Sequence, residues 1–468
     1  MAVDREDLLA AGLHGVTPLR GLDVPPARVP DTGRFGRLFP NLPGFEPPVE
    51  ELIALGSRKG PMNAGKKIPP SHLSKTIPAG FTYFGQFLDH NITFDADSSL
   101  DHVDDPMATT NFRSGRVDLE NVYGLGPDTQ AFQYYDQREV GKFWLDEKRW
   151  WDVPRNEQGT ALIGDPRDDN TVITVQIHLA FMKFHNAVVD YLKGKIAPDE
   201  DIFEAARQLV IWHYQWIVLH EWLPLILKRD VYQDIMKNGL KYYTWTDRPY
   251  IPVEFNVAAY RLHTLVLESY QLNSKRSGVL FELRKPFRPL PREDAIDWSY
   301  FFEVGRRKPA YAKRFEAKIA DTFLNIPGPM DNPLEWPFAV PPTQDLRSIA
   351  VRNLLRAREF ELPSGQAVAT LMGLTPLTQK QLGLDKSGLA EAPLWYYVLK
   401  EAELHTRGVT LGDVGSRIVG EVFTGLVKGD PTSYVNIAPN WKPTLGKGGK
   451  FTMADLLKFA KVYPLPQK

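Results

Sequence analysis

The sequence predicts a mainly α protein, with one large helical domain preceded by an extended Pro- and Gly-rich N-terminal arm. Three observations lead there. Across residues 171–192 the apolar positions Phe181, Met182, Val188, Val189 and Leu192, with His185, recur at i, i+3 and i+4. Residues 201–227 repeat that spacing over a longer run, and few segments anywhere alternate with period 2. Residues 12–80 are punctuated by Pro25-Pro26, Pro47-Pro48 and Pro69-Pro70, which reads as an arm with few regular elements wrapped over something larger. The chain is divided accordingly into an arm, 1–68, and a helical domain, 69–468. No internal repeat, low-complexity tract or clear linker divides it further. Single cores usually stop growing above about 300 residues unless something extra fills them, and a buried cofactor would do so.

Composition narrows the function classes. Hydrophobic residues make up 43% and charged ones 24%, and 56 basic against 57 acidic residues leave a net charge of -1. Such a balance offers no field to gather nucleic acid or anionic lipid. There are no cysteines, which excludes disulfides, thiolate nucleophiles, iron-sulfur clusters held by cysteine and thiolate-ligated haem. The start, Met1 to Asp7, is acidic and lacks an apolar core of signal-peptide length. No window approaches the 18 or more apolar residues of a membrane span. The expectation is a soluble, unprocessed chain in the cytoplasm, of unspecified oligomeric state.

The stretch with the densest chemistry is Phe84-Gly85-Gln86-Phe87-Leu88-Asp89-His90-Asn91-Ile92-Thr93-Phe94-Asp95. It is largely apolar, and polar groups in a core need partners. Adjacent polar side chains on a helical turn point in different directions, so they serve different neighbours. The alternative is a helix end with capping Asp and Asn and a packed His. An acidic loop, 95–107, comes next, and then a polar loop, 111–124, that leads into a short helix. Of the ten histidines, none forms an HExxH pair. His213 and His220, set among tryptophans, read as packing. No GxSxG, Walker loop or GxGxxG before a helix stands out.

Four segments combine: Gln86 with Asp89-His90; the turn Gly164-Asp165-Pro166-Arg167-Asp168-Asp169-Asn170; the helical-looking segment from Glu254 to His263; and the segment from Val351 to Arg358. Two histidines, an arginine and an asparagine are what a peroxide-cleaving haem needs. One His ligates iron, with an acceptor fixing its tautomer. The other moves a proton between the peroxide oxygens, and the arginine stabilises the leaving oxygen.

These segments resemble the peroxidase-cyclooxygenase superfamily, the animal-type haem peroxidases, and its bacterial branch in particular. The resemblance runs from about Pro69 to Ala460 and includes Thr76-Ile77-Pro78-Ala79-Gly80, Phe181-Met182-Lys183-Phe184-His185-Asn186 and Pro393-Leu394-Trp395-Tyr396-Tyr397. It implies a domain built around a buried haem b. His90 would be the distal histidine, Gln86 its pocket partner, Arg167 the distal arginine and His263 the proximal ligand to the haem iron. Asn353 would accept from the proximal imidazole, and Arg356 would pair with a propionate unless it makes an ordinary surface ion pair. Asp89 matches a position that forms a haem ester in some members. Asn170 stands where several members place an ester-forming glutamate, so one ester link at most is implied. A calcium ion would be held by Asn91, Ser114, Arg116 (through its carbonyl), Asp118 and Glu120. Asn91 replaces the family's aspartate there and weakens such a site. The alternative is a capped loop.

Tyr260, three residues before His263, matches the radical tyrosine of the cyclooxygenases and fatty-acid α-dioxygenases, although Val257-Ala258-Ala259-Tyr260-Arg261 reads like the peroxidases with a glycine deleted. The expected reaction is hydrogen-peroxide-dependent oxidation of a small organic donor or halide. The alternatives are a fatty-acid dioxygenase using Tyr260, with Tyr260 otherwise a packing residue, and a non-catalytic haem-binding or interaction scaffold.

Overall fold

The computed structural model describes residues 33–94, 110–127, 139–283, 288–326 and 344–466. The expected acidic loop, 95–107, and the first part of the arm, 1–32, lie outside those residues. In chain order the elements that position the site are β1 (Gly33–Gly36), α1 (Val49–Gly56), β2 (Leu73–Pro78), α2 (Gly80–Ile92), β3 (Thr110–Asn111), α3 (Val172–Leu192), α4 (Ile202–Ile217), β4 (Ile251–Pro252), β5 (Ser269–Gln271), β6 (Ser277–Val279), β7 (Tyr311–Lys313), α5 (Ile349–Glu359), α6 (Leu394–His405) and α7 (Asp413–Gly429). Helices dominate, as the apolar spacing requires.

The strands are short. β1 lies between β3, antiparallel, and β4, parallel, with Arg34 opposite Thr110 and Phe35 opposite Ile251. β2 pairs with β7, and β5 with β6, both antiparallel.

Helix α3 starts where Thr171, in extended conformation, accepts a bond from the Thr174 N–H at 3.0 Å. That side chain satisfies one of the donors a helix start leaves open. It is apolar on all sides because it is enclosed on all sides, from Val172 to Val189. Contrary to the expectation that no window approaches a membrane span, this helix is by length and composition apolar enough to cross one, yet 83% of the qualifying window is buried inside the protein, as in a core helix. The run over 201–227 is not one helix. After α4 the chain widens into i→i−5 bonding over Val218–Trp222 and then resumes as Leu223–Ile226. Pro224 has no N–H for a normal bond back to His220, and the wider turn absorbs the loss.

The described part of the arm is more regular and more buried than its composition indicated. Phe35, Leu38, Phe39, Leu52, Leu55 and Met62 all join the main core. Helix α1 packs so closely on α5 that a Cβ at Gly56 would stand 2.8 Å from the Val351 nitrogen. The buried Glu254 carboxylate accepts from the Leu38 and Phe39 N–H groups at 2.9 and 3.1 Å, fastening the arm beside the segment that leads to His263.

A second buried glutamate gives a pH signature. Glu401, 2% exposed, accepts from the Val414 N–H at the start of α7 at 3.0 Å. Burial pushes its carboxyl up from 4.5 to about 7. The folded chain therefore binds this proton more tightly than the unfolded one, so its contribution to stability falls as pH rises from about 4.5 to 7. In Glu401→Gln that loss disappears. Calorimetry should show the variant close to wild type at pH 4.5 and ahead of it at pH 8, by an amount on the order of a few kcal/mol. A difference that does not change with pH would contradict the assignment.

Candidate active site

Gln86, Asp89 and His90 are spaced i, i+3 and i+4 on α2 and share one face. That face lines a cavity of about 410 Å³. His90 is 7% exposed, and its Nδ1 lies 2.7 Å from one oxygen of Asp168. The other oxygen of Asp168 meets Nδ1 of His178 at 2.8 Å and accepts from the Asn121 amide at 2.9 Å. Burial alone would raise this carboxyl, but the bonds to His178 and His90 outweigh it and hold Asp168 below the ordinary carboxylate range. The Gln86 carbonyl accepts from the Thr174 hydroxyl at 3.3 Å, and Asp89 accepts from Thr93 at 3.3 Å. Asn170 also lines the cavity.

Arg167, expected as the distal arginine, is not among the residues that line it, and its guanidinium is engaged elsewhere. Asp165 caps its own turn by accepting the Arg167 N–H at 2.8 Å, which places its carboxylate within reach of the same arginine's side chain. The guanidinium folds back onto Asp165 at 2.7 Å and donates to the carbonyls of His90 and Thr93 at 2.9 and 2.7 Å. It also stacks 4.4 Å above the Phe94 ring. A cation at a helix C-terminus satisfies open carbonyls and complements the dipole. Arg167 thus clamps the end of α2, on which His90 sits. Asp165, paired with Arg113 as well, is held well below its usual range although buried.

The segment leading to His263, which also lines the cavity, is not a continuous helix. It is π-helical over Glu254–Ala259, with the Tyr260 N–H bonded to the Phe255 carbonyl at 2.9 Å, and then turns into a 3-10 turn at Leu262–Leu265. His263 lines the cavity from that turn. The turn is tied down by the Trp395 indole donating to the Arg261 carbonyl at 2.9 Å and by Thr264 donating to the Glu316 carbonyl at 2.7 Å. Asn353 on α5 places its amide nitrogen 3.2 Å from Nδ1 of His263. Half a turn of that amide presents its oxygen instead, the acceptor an Nδ1–H needs. Burial, with the Arg261 charge adding, pushes this imidazole down to about 3, so it is neutral and can ligate metal at any physiological pH.

Tyr260 also lines the cavity, yet its hydroxyl is fully engaged. It accepts from the Trp222 indole at 3.1 Å and donates to the Gly85 carbonyl at 3.2 Å, while its ring stacks on Phe255 at 5.0 Å. Gly85 is closely approached: a Cβ there would lie 3.0 Å from Trp222 and 3.3 Å from the Tyr260 oxygen, so those side chains would have to give by a few tenths of an ångström.

Arg356 lies over the Phe360 ring at 5.5 Å and does not line the cavity. Arg352, one turn earlier on α5, does, and so does Arg261. Sequence reasoning missed these two, together with Asp168, His178, Asn121 and Trp222. Arginines four residues apart on one helix share a face, so spacing alone does not choose between them.

Of the residues expected to hold a cation, Asn91, Ser114, Asp118 and Glu120 are linked by hydrogen bonds. Asp118 accepts from Asn91 at 2.9 Å, from the Ser114 hydroxyl at 2.8 Å and from the Glu120 N–H at 3.1 Å. The Arg116 N–H donates to Ser114 Oγ at 3.2 Å. Glu120 faces Arg113 at 3.3 Å and the Ser114 N–H at 2.7 Å. Its carboxyl is pushed up by burial and by the Asp118 charge. The Asn91 side-chain oxygen is buried with no partner among the described residues. An oxygen-rich, electronegative cluster with an orphaned acceptor fits a hard cation.

The clamp assigned to Arg167 has a measurable consequence. Arg167→Met should lower stability by about 2–4 kcal/mol, because it leaves a buried carboxylate and helix-end carbonyls short of a cation. Denaturant titration checks this, and an unchanged midpoint would show that the clamp contributes nothing.

The family model described as animal haem peroxidase matches residues 104–431. The chain is similar to the chorion peroxidase of Aedes aegypti, 25% identical over 288 residues, which are 58% of this chain and 34% of that protein. It is similar to heme peroxidase 2 of Caenorhabditis elegans, 25% identical over 360 residues, 69% of this chain and 48% of that one. It therefore spans less than half the length of these curated relatives. Among solved structures, fatty acid alpha-dioxygenase of Arabidopsis thaliana superposes with a TM-score of 0.61 at 15% identity, covering 91% of this chain and 77% of that one. Peroxidase A of Dictyostelium discoideum superposes at 0.59 and 17% identity, covering 91% of each. With the family model spanning most of its length, the chain belongs to the animal haem peroxidase family.

Proposed function

We propose that the protein is a haem peroxidase that uses hydrogen peroxide to oxidise a small organic donor or halide. The observation that carries this is a pair of histidines, His90 and His263, on different walls of one cavity, each with Nδ1 tied to a partner. Haem fits the donor set. A neutral imidazole backed by Asn353 would hold the iron, Arg261 and Arg352 supply cations for the propionates, and Leu262, Val266, Leu280, Phe281, Phe323 and Ile326 give an apolar lining. At about 410 Å³ the cavity is of ordinary ligand size. Asp89 reaches the same cavity and is the position for a single ester link.

Bound there, haem supplies the centre at which peroxide is reduced and its oxidising power is passed to a donor. The chain's own work is proton handling and orientation. His90 takes the proton from one peroxide oxygen and returns it to the other. Gln86, steadied by Thr174, offers its amide to the same space. Arg167 acts at one remove, by holding the helix end that carries His90.

The fold likeness to an α-dioxygenase and the place of Tyr260 in the cavity keep a fatty-acid dioxygenase as the second reading. The bonding of Tyr260 weighs against it. A phenol that loses an electron must shed its proton, and here the proton faces a backbone carbonyl, which does not take protons. The haem-reconstituted protein should oxidise a phenolic donor only with peroxide, and Tyr260→Phe should leave that rate unchanged. His90→Gln should lower it by about 10²–10⁴. Oxygen uptake with a long-chain fatty acid that disappears in Tyr260→Phe would establish the dioxygenase instead. Failure to bind haem would return the scaffold reading.

We propose further that calcium occupies the cluster of Asn91, Ser114, Arg116, Asp118 and Glu120. Added calcium should raise the melting temperature of the wild type and leave that of Asp118→Asn unmoved. Equal shifts in both proteins would remove the site.

A further inference from the structure

The turn at 165–170 carries three buried aspartates, and they are not partnered alike. Asp165 is bound by Arg113 and Arg167, and Asp169 by Arg155 through two bonds of 2.7 Å. Asp168, 0% exposed, has imidazole and amide partners: His90 on one oxygen, His178 and Asn121 on the other. We propose that Asp168 is a positioning residue for the peroxide step, keeping the proton of His90 on Nδ1 so that Nε2 meets the cavity as a base. The assignment rests on the haem peroxidase reading.

The grounds are the donors and acceptors around the carboxylate. An ionised carboxylate only accepts, so each Nδ1 within hydrogen-bond distance of Asp168 carries its proton. For His90 this leaves the Nε2 lone pair free to take a proton, which is what the first move on peroxide requires. A His90 protonated at Nε2 would begin the reaction as a donor, with nothing to accept into. His178 serves as the anchor. It is fully buried and its Nε2 has no partner among the described residues, so Nδ1 is the satisfied place for its proton, and that proton holds Asp168 in register. Asn121 adds a second donor to the same oxygen and fixes the carboxylate's orientation. The proton His90 takes from one peroxide oxygen passes to the other, so the pair ends as it began.

Asp168→Asn is a discriminating change because it keeps the shape. The oxygen facing His178 and Asn121 receives two donors, so the amide oxygen stays on that side and the NH₂ turns to His90. Nδ1 of His90 must then accept, and its proton moves to Nε2. The experiment is ¹⁵N-histidine NMR of the full-length protein with haem in the diamagnetic ferrous carbonyl form, with His90→Gln assigning the signal. Peroxide consumption by the ferric form is measured in parallel. The expected result is an Nδ1–H tautomer at His90 in wild type and an Nε2–H tautomer in Asp168→Asn. His178 should be unchanged, the haem retained, and the peroxide rate lowered at least about 100-fold. An Nε2–H tautomer in wild type overturns the assignment without any variant, which covers a substitution that fails to fold. An unchanged tautomer in Asp168→Asn, or a switched tautomer with an undiminished rate, overturns it as well. If wild type itself consumes no peroxide, the peroxidase reading fails, and the tautomer data still decide whether Asp168 orients His90.

Discussion

The site depends first on how the turn at 165–170 is locked to the end of α2. Buried carboxylates persist only when their charge is compensated and their oxygens are bonded. Here three acids in one short turn meet that requirement through different neighbours: two through arginines, one through imidazoles and an amide. The pairing is mutually consistent. Arg167 joins Asp165 to the carbonyls of His90 and Thr93, and Asp168 reaches His90 itself. Backbone and side chain of the same histidine are therefore set by one turn, and the entry of α3, which begins immediately afterwards, fixes that turn.

The second wall is built by irregular helix. The π-helical segment ends on Tyr260, and the tight turn after it brings His263 to the cavity. Tyr260 then bridges both walls, bonded to Gly85 of α2 and to Trp222, which itself sits at the end of another π-helical stretch. Each widened turn adds one residue to a helix and re-aims the chain beyond it. Two such turns meet at a tyrosine and a tryptophan, both packed closely against Gly85. The change of helix type between Ala259 and Leu262 leaves His263 lining the cavity.

Away from the site, buried glutamates do much of the work that regular ladders do elsewhere. Glu254 accepts from two N–H groups of the arm, and Glu421 accepts from Tyr242 and Tyr243 at 2.8 and 3.0 Å. Long irregular connections must satisfy their backbone donors somewhere. Placing carboxylates on the helices lets such segments pack against the core without forming strands. The arm, whose proline content indicated a loose wrapping, is drawn into the core by this means and by its own Phe35, Leu38 and Phe39.

By itself the sequence determined the fold class, since helical spacing of apolar residues is local and survives any tertiary arrangement. Polar chemistry inside apolar runs singled out Gln86, Asp89 and His90 as candidates, and the family resemblance added Tyr260 and the role of His263; all five line the cavity. Only the tertiary structure decided which charges face inward. Arg167 turns to Asp165, and Arg352 rather than Arg356 reaches the cavity; both outcomes depend on helix rotation and on partners far along the chain. The shared carboxylate of Asp168 was invisible for the same reason. His90 lies 78 positions from it, and His178, 10 away on the next helix, comes within bonding reach only when the turn folds back. Side-chain type is written locally, whereas its electrostatic partner is chosen by packing.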